Sequence, residues 1–105
     1  MNDVPLTVVV GTFDARPGAE AALGAVLARY VVMSRAADGC RNIDLVVSLT
    51  RPERFLVYEK WATPEDQAAH LASGVTETMA AAAQPLLAGP PSLDLYEGVS
   101  AHDLR

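Results

Sequence analysis

The sequence predicts a single α+β domain: one four-stranded antiparallel sheet with its helices packed on one face. Three observations carry this. Four segments read as strands and two as helices, in the order β-α-β-β-α-β. The first helix carries its apolar residues in one continuous stripe, so it has a single buried side. The first two strands are apolar on both parities, so each has two sides to cover.

The first strand is "PLTVVVGTFDA", β-branched and apolar at successive positions, the pattern of a strand buried on two faces. "RPG" at 16–18 ends it. In the helix that follows, Leu23, Val26, Leu27, Tyr30, Val31 and Ser34 recur at helical spacing. Asp38-Gly39 closes it, with Gly39 as a left-handed C-cap. "RNIDLVVSL" alternates Ile43, Leu45, Val47 and Leu49 with Asn42, Asp44, Val46 and Ser48, which is strand periodicity. "TRPER" turns the chain and "FLVYEKW" returns it, making a hairpin. "TPEDQAAHLA" opens a second helix: Thr63 caps it, Pro64 suits the first helical position, and Glu65 and Asp66 complement the dipole. Gly74 interrupts, and "VTETMAAAAQPLL" resumes helix until Pro85 strains it. "AGPPS" is a rigid loop, "LDLYEG" a last short strand, and "VSAHDLR" a polar tail.

This order is the split β-α-β arrangement of ferredoxin-like folds. Residues 1–105 are expected to form one domain, with a core at about 5–98 and a polar tail at 99–105. A domain of this size buries only about two-thirds of the surface of its unfolded chain. Helices on one side leave the other side of an apolar sheet uncovered, which is unusual on a monomer. A second copy packed sheet against sheet, making a homodimer, is the expected cover.

Thirteen acidic residues oppose eight scattered basic ones, a net charge of -5. A phosphate-tracking groove needs clustered cations, so no nucleic-acid partner is expected. The N-terminal "MNDVPLTVVV" places an acid where a signal peptide has bases. No apolar run approaches the roughly 20 residues of a membrane span. Cys40 is the single cysteine, so it has no disulfide partner within the chain, no zinc companions at metal spacing, and reads as a small buried hydrophobe. A cytoplasmic protein with no membrane association is expected. No glycine-rich phosphate loop, zinc-protease motif or nucleophile elbow is present.

The pieces "ARPGAEAAL", "DGCRNIDL", "VYEKW" and "ATPEDQAAHLAS", in this order, resemble the antibiotic biosynthesis monooxygenase (ABM) family of dimeric α+β barrels. "LLAGPPS" is similar to the loop before the last strand in its polyketide-quinone-forming members. The resemblance spans residues from about 6 to 98. It implies the sheet-to-sheet dimer and a pocket between sheet and helices. It also implies oxygenation of aromatic polyketides or quinols with O2 and no cofactor, although other members degrade haem, isomerise small sugars or have no known reaction.

The resemblance places Trp61 on the wall of that pocket, stacked on a flat substrate and donating its indole N–H to a substrate oxygen. The plainer reading is a core tryptophan. His70 sits on the second helix beside Asp66, Gln67 and Leu71. With Leu71 pointing into the core, His70 falls at the edge of the buried face. There it is either a base for a phenolic proton or a partly exposed imidazole bonded to Asp66. His102 lies in the tail and is expected to face solvent.

Phe13, Tyr30, Asn42, Asp44, Val57, Glu59 and Met79 are the expected substrate contacts, and no metal site is expected. Alternation aligns Phe55, Val57, Glu59 and Trp61 on one side of their strand, and a buried Glu59 needs a donor such as Trp61. Asn42 and Asp44 read as cavity groups or as a solvated edge.

The haem-degrading members carry Asn, Trp and His where this chain has Gly11, His70 and about Ala80. The polyketide oxygenases pair the strand tryptophan with an Asn and an Arg at positions that here hold Val57 and about Ala81. Only Trp61 is kept.

The expected function is cofactor-independent monooxygenation of a small phenol, quinol or anthrone-like substrate with O2. The alternatives are an isomerase or cyclase using the same pocket, and a non-catalytic dimer that binds a small ligand.

Overall fold

The computed structural model describes residues 5–100; His102 and the rest of the tail from 101 lie outside them, as do residues 1–4. Strands β1 (Thr7–Asp14), β2 (Cys40–Val47), β3 (Arg54–Trp61) and β4 (Ser92–Glu97) are joined through helices α1 (Glu20–Ser34), α2 (Pro64–Leu71) and α3 (Gly74–Ala83). A 3-10 turn, Gln84–Leu86, extends α3. The strands pair antiparallel in the order β2-β3-β1-β4. The expected ferredoxin-like α+β architecture is present.

The core lies between the helices and the sheet side that carries Phe13, Ile43 and Val57. Leu23, Leu27, Tyr30, Val31 and Ser34 of α1 are buried, so the stripe packs as its spacing requires. Thr63 caps α2 by accepting from the Asp66 N–H at 3.0 Å. The end of β1 is tied to the start of β3 by Arg54, which donates to both carboxylate oxygens of Asp14 at 2.8 and 2.9 Å. That guanidinium holds the Asp14 carboxyl below its ordinary range.

Several local expectations need correction. Gly39 has positive φ (79°), yet it is not the C-cap of α1, which Arg35 closes in right-handed conformation. Gly39 instead turns the chain into β2, and a Cβ there would collide with the Asp66 carboxylate. The helical break comes at Ser73, whose hydroxyl caps α3, so Gly74 opens that helix instead of interrupting it. Pro85 ends α3 as expected, standing at the start of a 3-10 turn, where its missing N–H removes no bond. Leu49 is 100% exposed: β2 stops at Val47, leaving Leu49 in the hairpin loop beyond the strand row it was expected to join.

The opposite side of the sheet carries cross-strand rows Asn42–Lys60–Val8–Tyr96, Asp44–Tyr58–Val10–Asp94 and Val46–Leu56–Thr12–Ser92. Val46 and Tyr96 are 51% and 55% exposed, and Val10, Leu56 and Tyr58 are half-buried. No helix of the described residues is long and apolar enough to cross a membrane.

Candidate functional site

A cavity of about 340 Å³ opens between the helix side of the sheet and α3. Gly11 makes room for it. Gly11 pairs with Val57 on one side and Leu93 on the other, and a Cβ there would stand 3.1 Å from the Phe13 ring. Phe13 and Val57 floor the cavity, Met79, Ala83 and Leu87 roof it, and Leu71 and Leu93 rim it. Its lining holds a single ionisable acid, Glu59, with the Tyr30 hydroxyl beside it.

Glu59 is buried, and each of its oxygens takes one donor. The Trp61 indole N–H donates to Oε1 at 2.8 Å, and the Tyr30 hydroxyl donates to Oε2 at 2.9 Å. Burial pushes the Glu59 carboxyl up, and the Trp61 and Tyr30 donors oppose that by stabilising the charged form. Burial, and then the neighbouring Glu59 charge, push the Tyr30 phenol well above its ordinary value.

Behind Tyr30 stands His70. Its Nε2 lies 2.9 Å from Ser34 Oγ and 3.2 Å from Tyr30 Oη. Its ring packs against Trp61 with centroids 4.6 Å apart and against Tyr30 at 5.6 Å. Burial lowers the His70 pKa. The His70 carbonyl accepts from the Ser73 and Thr76 hydroxyls, each at 2.6 Å, so the junction of α2 and α3 fixes its backbone.

Of the expected contact residues, the cavity gathers Phe13, Tyr30, Val57, Glu59 and Met79. The anticipated Trp61 donor to Glu59 is present. Asn42 and Asp44 are not in the cavity. Ile43 pairs with Glu59 and takes the inner side, which turns both polar neighbours to the outer one, where they are exposed and bond each other at 2.9 Å. Trp61 does not line the cavity either: it is fully buried beneath Glu59, and its N–H is already engaged there. His70 is neither at the edge nor bonded to Asp66. The short helix α2 rolls so that Gln67 and His70 face inward and Leu71 is 49% exposed at the rim.

Sequence reasoning missed Thr76, Leu87 and Gly11 as cavity residues, and missed the role of Ser34. Only Ser34 left a signal, as a polar residue one turn from Tyr30 on an apolar stripe. Cys40 is half-buried beside the core, and burial raises its thiol pKa.

A second groove, of about 270 Å³, runs between α1 and α3 past Val26, Arg29 and Met33; it shares Tyr30 and Met79 with the cavity but has no carboxylate. No group of three or more metal-ligating side chains occurs among the described residues. The cavity's chemistry is therefore that of one buried carboxylate and one phenol at an apolar wall: it can accept a proton and orient a hydroxyl or carbonyl.

Residues 7–84 match the model of the antibiotic biosynthesis monooxygenase family. A comparison with curated proteins finds no match. Among solved structures, the Rv0793 protein of Mycobacterium tuberculosis is 26% identical with a TM-score of 0.85, covering 93% of this chain and 99% of that one. A protein of unknown function from Nitrosomonas europaea is 25% identical with a TM-score of 0.86, covering 99% of both chains. A Deinococcus radiodurans protein that carries the family's name is 24% identical with a TM-score of 0.84, covering 94% and 98%, a likeness of fold.

Proposed function

The chain belongs to the antibiotic biosynthesis monooxygenase family, and from that premise we propose that it oxygenates a small, flat aromatic substrate, phenol, quinol or anthrone-like, with O2 and without a cofactor. One observation carries the proposal: a buried carboxylate, Glu59, at the wall of an otherwise apolar cavity. This replaces His70 as the base, because Glu59 lines the cavity and His70 does not.

The chemistry follows from the surroundings. The apolar walls strip water from the ring and admit O2, which is itself apolar. Glu59, with its pKa raised by burial, removes a proton from the substrate and leaves an electron-rich anion. The Tyr30 hydroxyl, whose hydrogen is given to Glu59, can accept from a substrate hydroxyl beside it. The anion then reduces O2 directly. For an anthrone, the CH2 group and O2 become C=O and water, and the substrate supplies all the electrons. Positioning and desolvation are the protein's contribution.

The second part of the proposal is a homodimer. The side of the sheet that carries Val10, Val46, Leu56 and Tyr96 would pack on its copy and close the α+β barrel. This reading rests on the half-covered apolar rows of that face.

The test is O2 uptake by metal-stripped protein offered a panel of hydroquinones and anthrones, with the product weighed by mass spectrometry. Faster uptake than buffer, and a product with one added oxygen, is the expected result. A product of unchanged mass would assign the cavity to isomerisation instead. No acceleration across the panel would remove the oxygenase reading.

A further inference from the structure

We propose that the Glu59 cavity selects its substrate by polarity: it takes an aromatic ring with a free hydroxyl at its edge and turns away the matching ether, ketone or carboxylate. The proposal deepens the oxygenase reading. It rests on that reading's assignment of the cavity as the substrate site and of Glu59 as an ionised base.

The selection follows from counting hydrogens. Three buried polar side chains reach the cavity wall: Tyr30, Glu59 and Thr76. As a carboxylate, Glu59 has no hydrogen of its own, and it takes one from Trp61 at Oε1 and one from Tyr30 at Oε2. The single Tyr30 hydrogen is thereby spent. The 3.2 Å contact between Tyr30 Oη and His70 Nε2 is then a hydrogen bond only with the hydrogen on Nε2. That N–H is shared between Oη and Ser34 Oγ, 2.9 Å away. The Thr76 hydroxyl gives its hydrogen to the His70 carbonyl at 2.6 Å. These buried groups keep no hydrogen for a ligand. What they present is lone pairs, on the Glu59 oxygens and on Tyr30 Oη. The other polar lining residues, Gln84 and Ser92, are exposed to solvent.

A ring hydroxyl supplies the hydrogen that this wall lacks. An ether or ketone oxygen sets lone pairs against lone pairs, and a carboxylate adds a second negative charge beside Glu59. The discrimination is strong because the apolar walls leave a mismatched polar group without water. An anthrone enters as its enol, the tautomer that carries a hydroxyl. The bound hydroxyl is also the group that Glu59 ionises. The O–H bond breaks, the proton goes to a Glu59 oxygen, and the electron pair stays on the ring oxygen. The new Glu59 O–H then donates back to that oxygen. A ring with no hydroxyl is held by its apolar contacts alone.

His70 is a positioning residue in this scheme, since it is buried and does not line the cavity. Packing against Trp61 and Tyr30 holds its ring, and the Ser73 and Thr76 hydroxyls hold its carbonyl. With a hydrogen on Nε2 it offers Tyr30 no lone pair, so the Tyr30 hydrogen stays on Glu59.

Two measurements test the selection, and neither needs turnover. The first is calorimetric binding of naphthol, its methyl ether and naphthoate, all substituted at the same ring position. Naphthol should bind about 10–100-fold more tightly than the ether, the worth of a hydrogen bond to a charged acceptor. Naphthoate should bind most weakly. Glu59→Gln puts amide hydrogens where there were only lone pairs, and should erase most of the preference for naphthol over the ether. Equal binding of naphthol and ether, naphthoate as the tightest ligand, a preference that survives Glu59→Gln, or no binding of any of the three would each overturn the proposal. The second is nitrogen NMR of protein labelled in histidine, with His102→Gln so that His70 alone gives the signal. Neutral His70 should carry its hydrogen on Nε2. A hydrogen on Nδ1 would overturn the count, because a bare Nε2 would compete with Glu59 for the Tyr30 hydrogen. Selective naphthol binding without O2 uptake from the hydroquinone panel would sink the oxygenase reading and leave the selection standing. O2 uptake with no preference for naphthol over its ether would do the reverse.

Discussion

Replacing Trp61 by Phe separates the packing of that residue from its hydrogen bond. The side chain is fully buried, and its N–H reaches Glu59 Oε1 at 2.8 Å. Phenylalanine keeps the aromatic contact but leaves a void of about 40 Å³, worth about 1 kcal/mol at the usual cost of residual cavity volume. The lost bond to a charged acceptor is worth about 1.5–3 kcal/mol. Unfolding in urea at neutral pH should therefore show a loss of about 2.5–4 kcal/mol. The two contributions differ in what they do to Glu59. The void is indifferent to its charge, whereas the N–H favours the carboxylate over the acid. Its loss should raise the Glu59 pKa further, because the charged form loses a donor. Carbon NMR of labelled glutamate side chains reads this directly. A Glu59 titration that stays in place, together with a stability loss of about 1 kcal/mol, would refute the claim that Trp61 holds the carboxylate.

Other outcomes follow from the same groups. Because the folded Glu59 pKa is raised, native stability should fall as pH climbs through it, starting from the ordinary glutamate range; melting of Glu59→Gln against pH should lack that slope while O2 uptake is lost. The folded His70 pKa is lowered, so its contribution is complete above about pH 6.5 and lost as pH falls toward the folded value; His70→Gln should flatten the acid side of the melting profile. Gly39→Ala should lower stability by at least about 1–2 kcal/mol in urea, from the left-handed backbone alone, with the Asp66 collision adding to it. Leu56→Glu, on the sheet side away from the cavity, should convert a dimer to a monomer in sedimentation; a monomer before substitution contradicts the barrel.

What was legible in the sequence was periodicity with a large energy behind it. The α1 stripe from Leu23 to Ser34 buries whole side chains, so spacing alone places Tyr30 inward. Alternation along β3 likewise aligns Val57, Glu59 and Trp61 on one side, and the need of a buried carboxylate for a donor points to Trp61. The roll of α2 was not legible. Two turns offer little periodicity, and hydrophobicity argues for Leu71 inward; hydrogen bonds with Ser34 and Tyr30 and the Trp61 ring make His70 the buried residue instead. Alternation alone leaves the side of Asn42 and Asp44 open; the pairing of Ile43 with Glu59 fixes it. The cavity depends on Gly11 having no side chain, and a missing side chain leaves no pattern to read.

A crystal soaked with anthraquinone, flat and inert like the product of an anthrone, puts the matter most directly. The ring should lie over Phe13 and Val57 beneath Met79, with one edge against Glu59 and Tyr30. A ring seated in the groove by Arg29 and Met33, with the Glu59 cavity left to water, would contradict it.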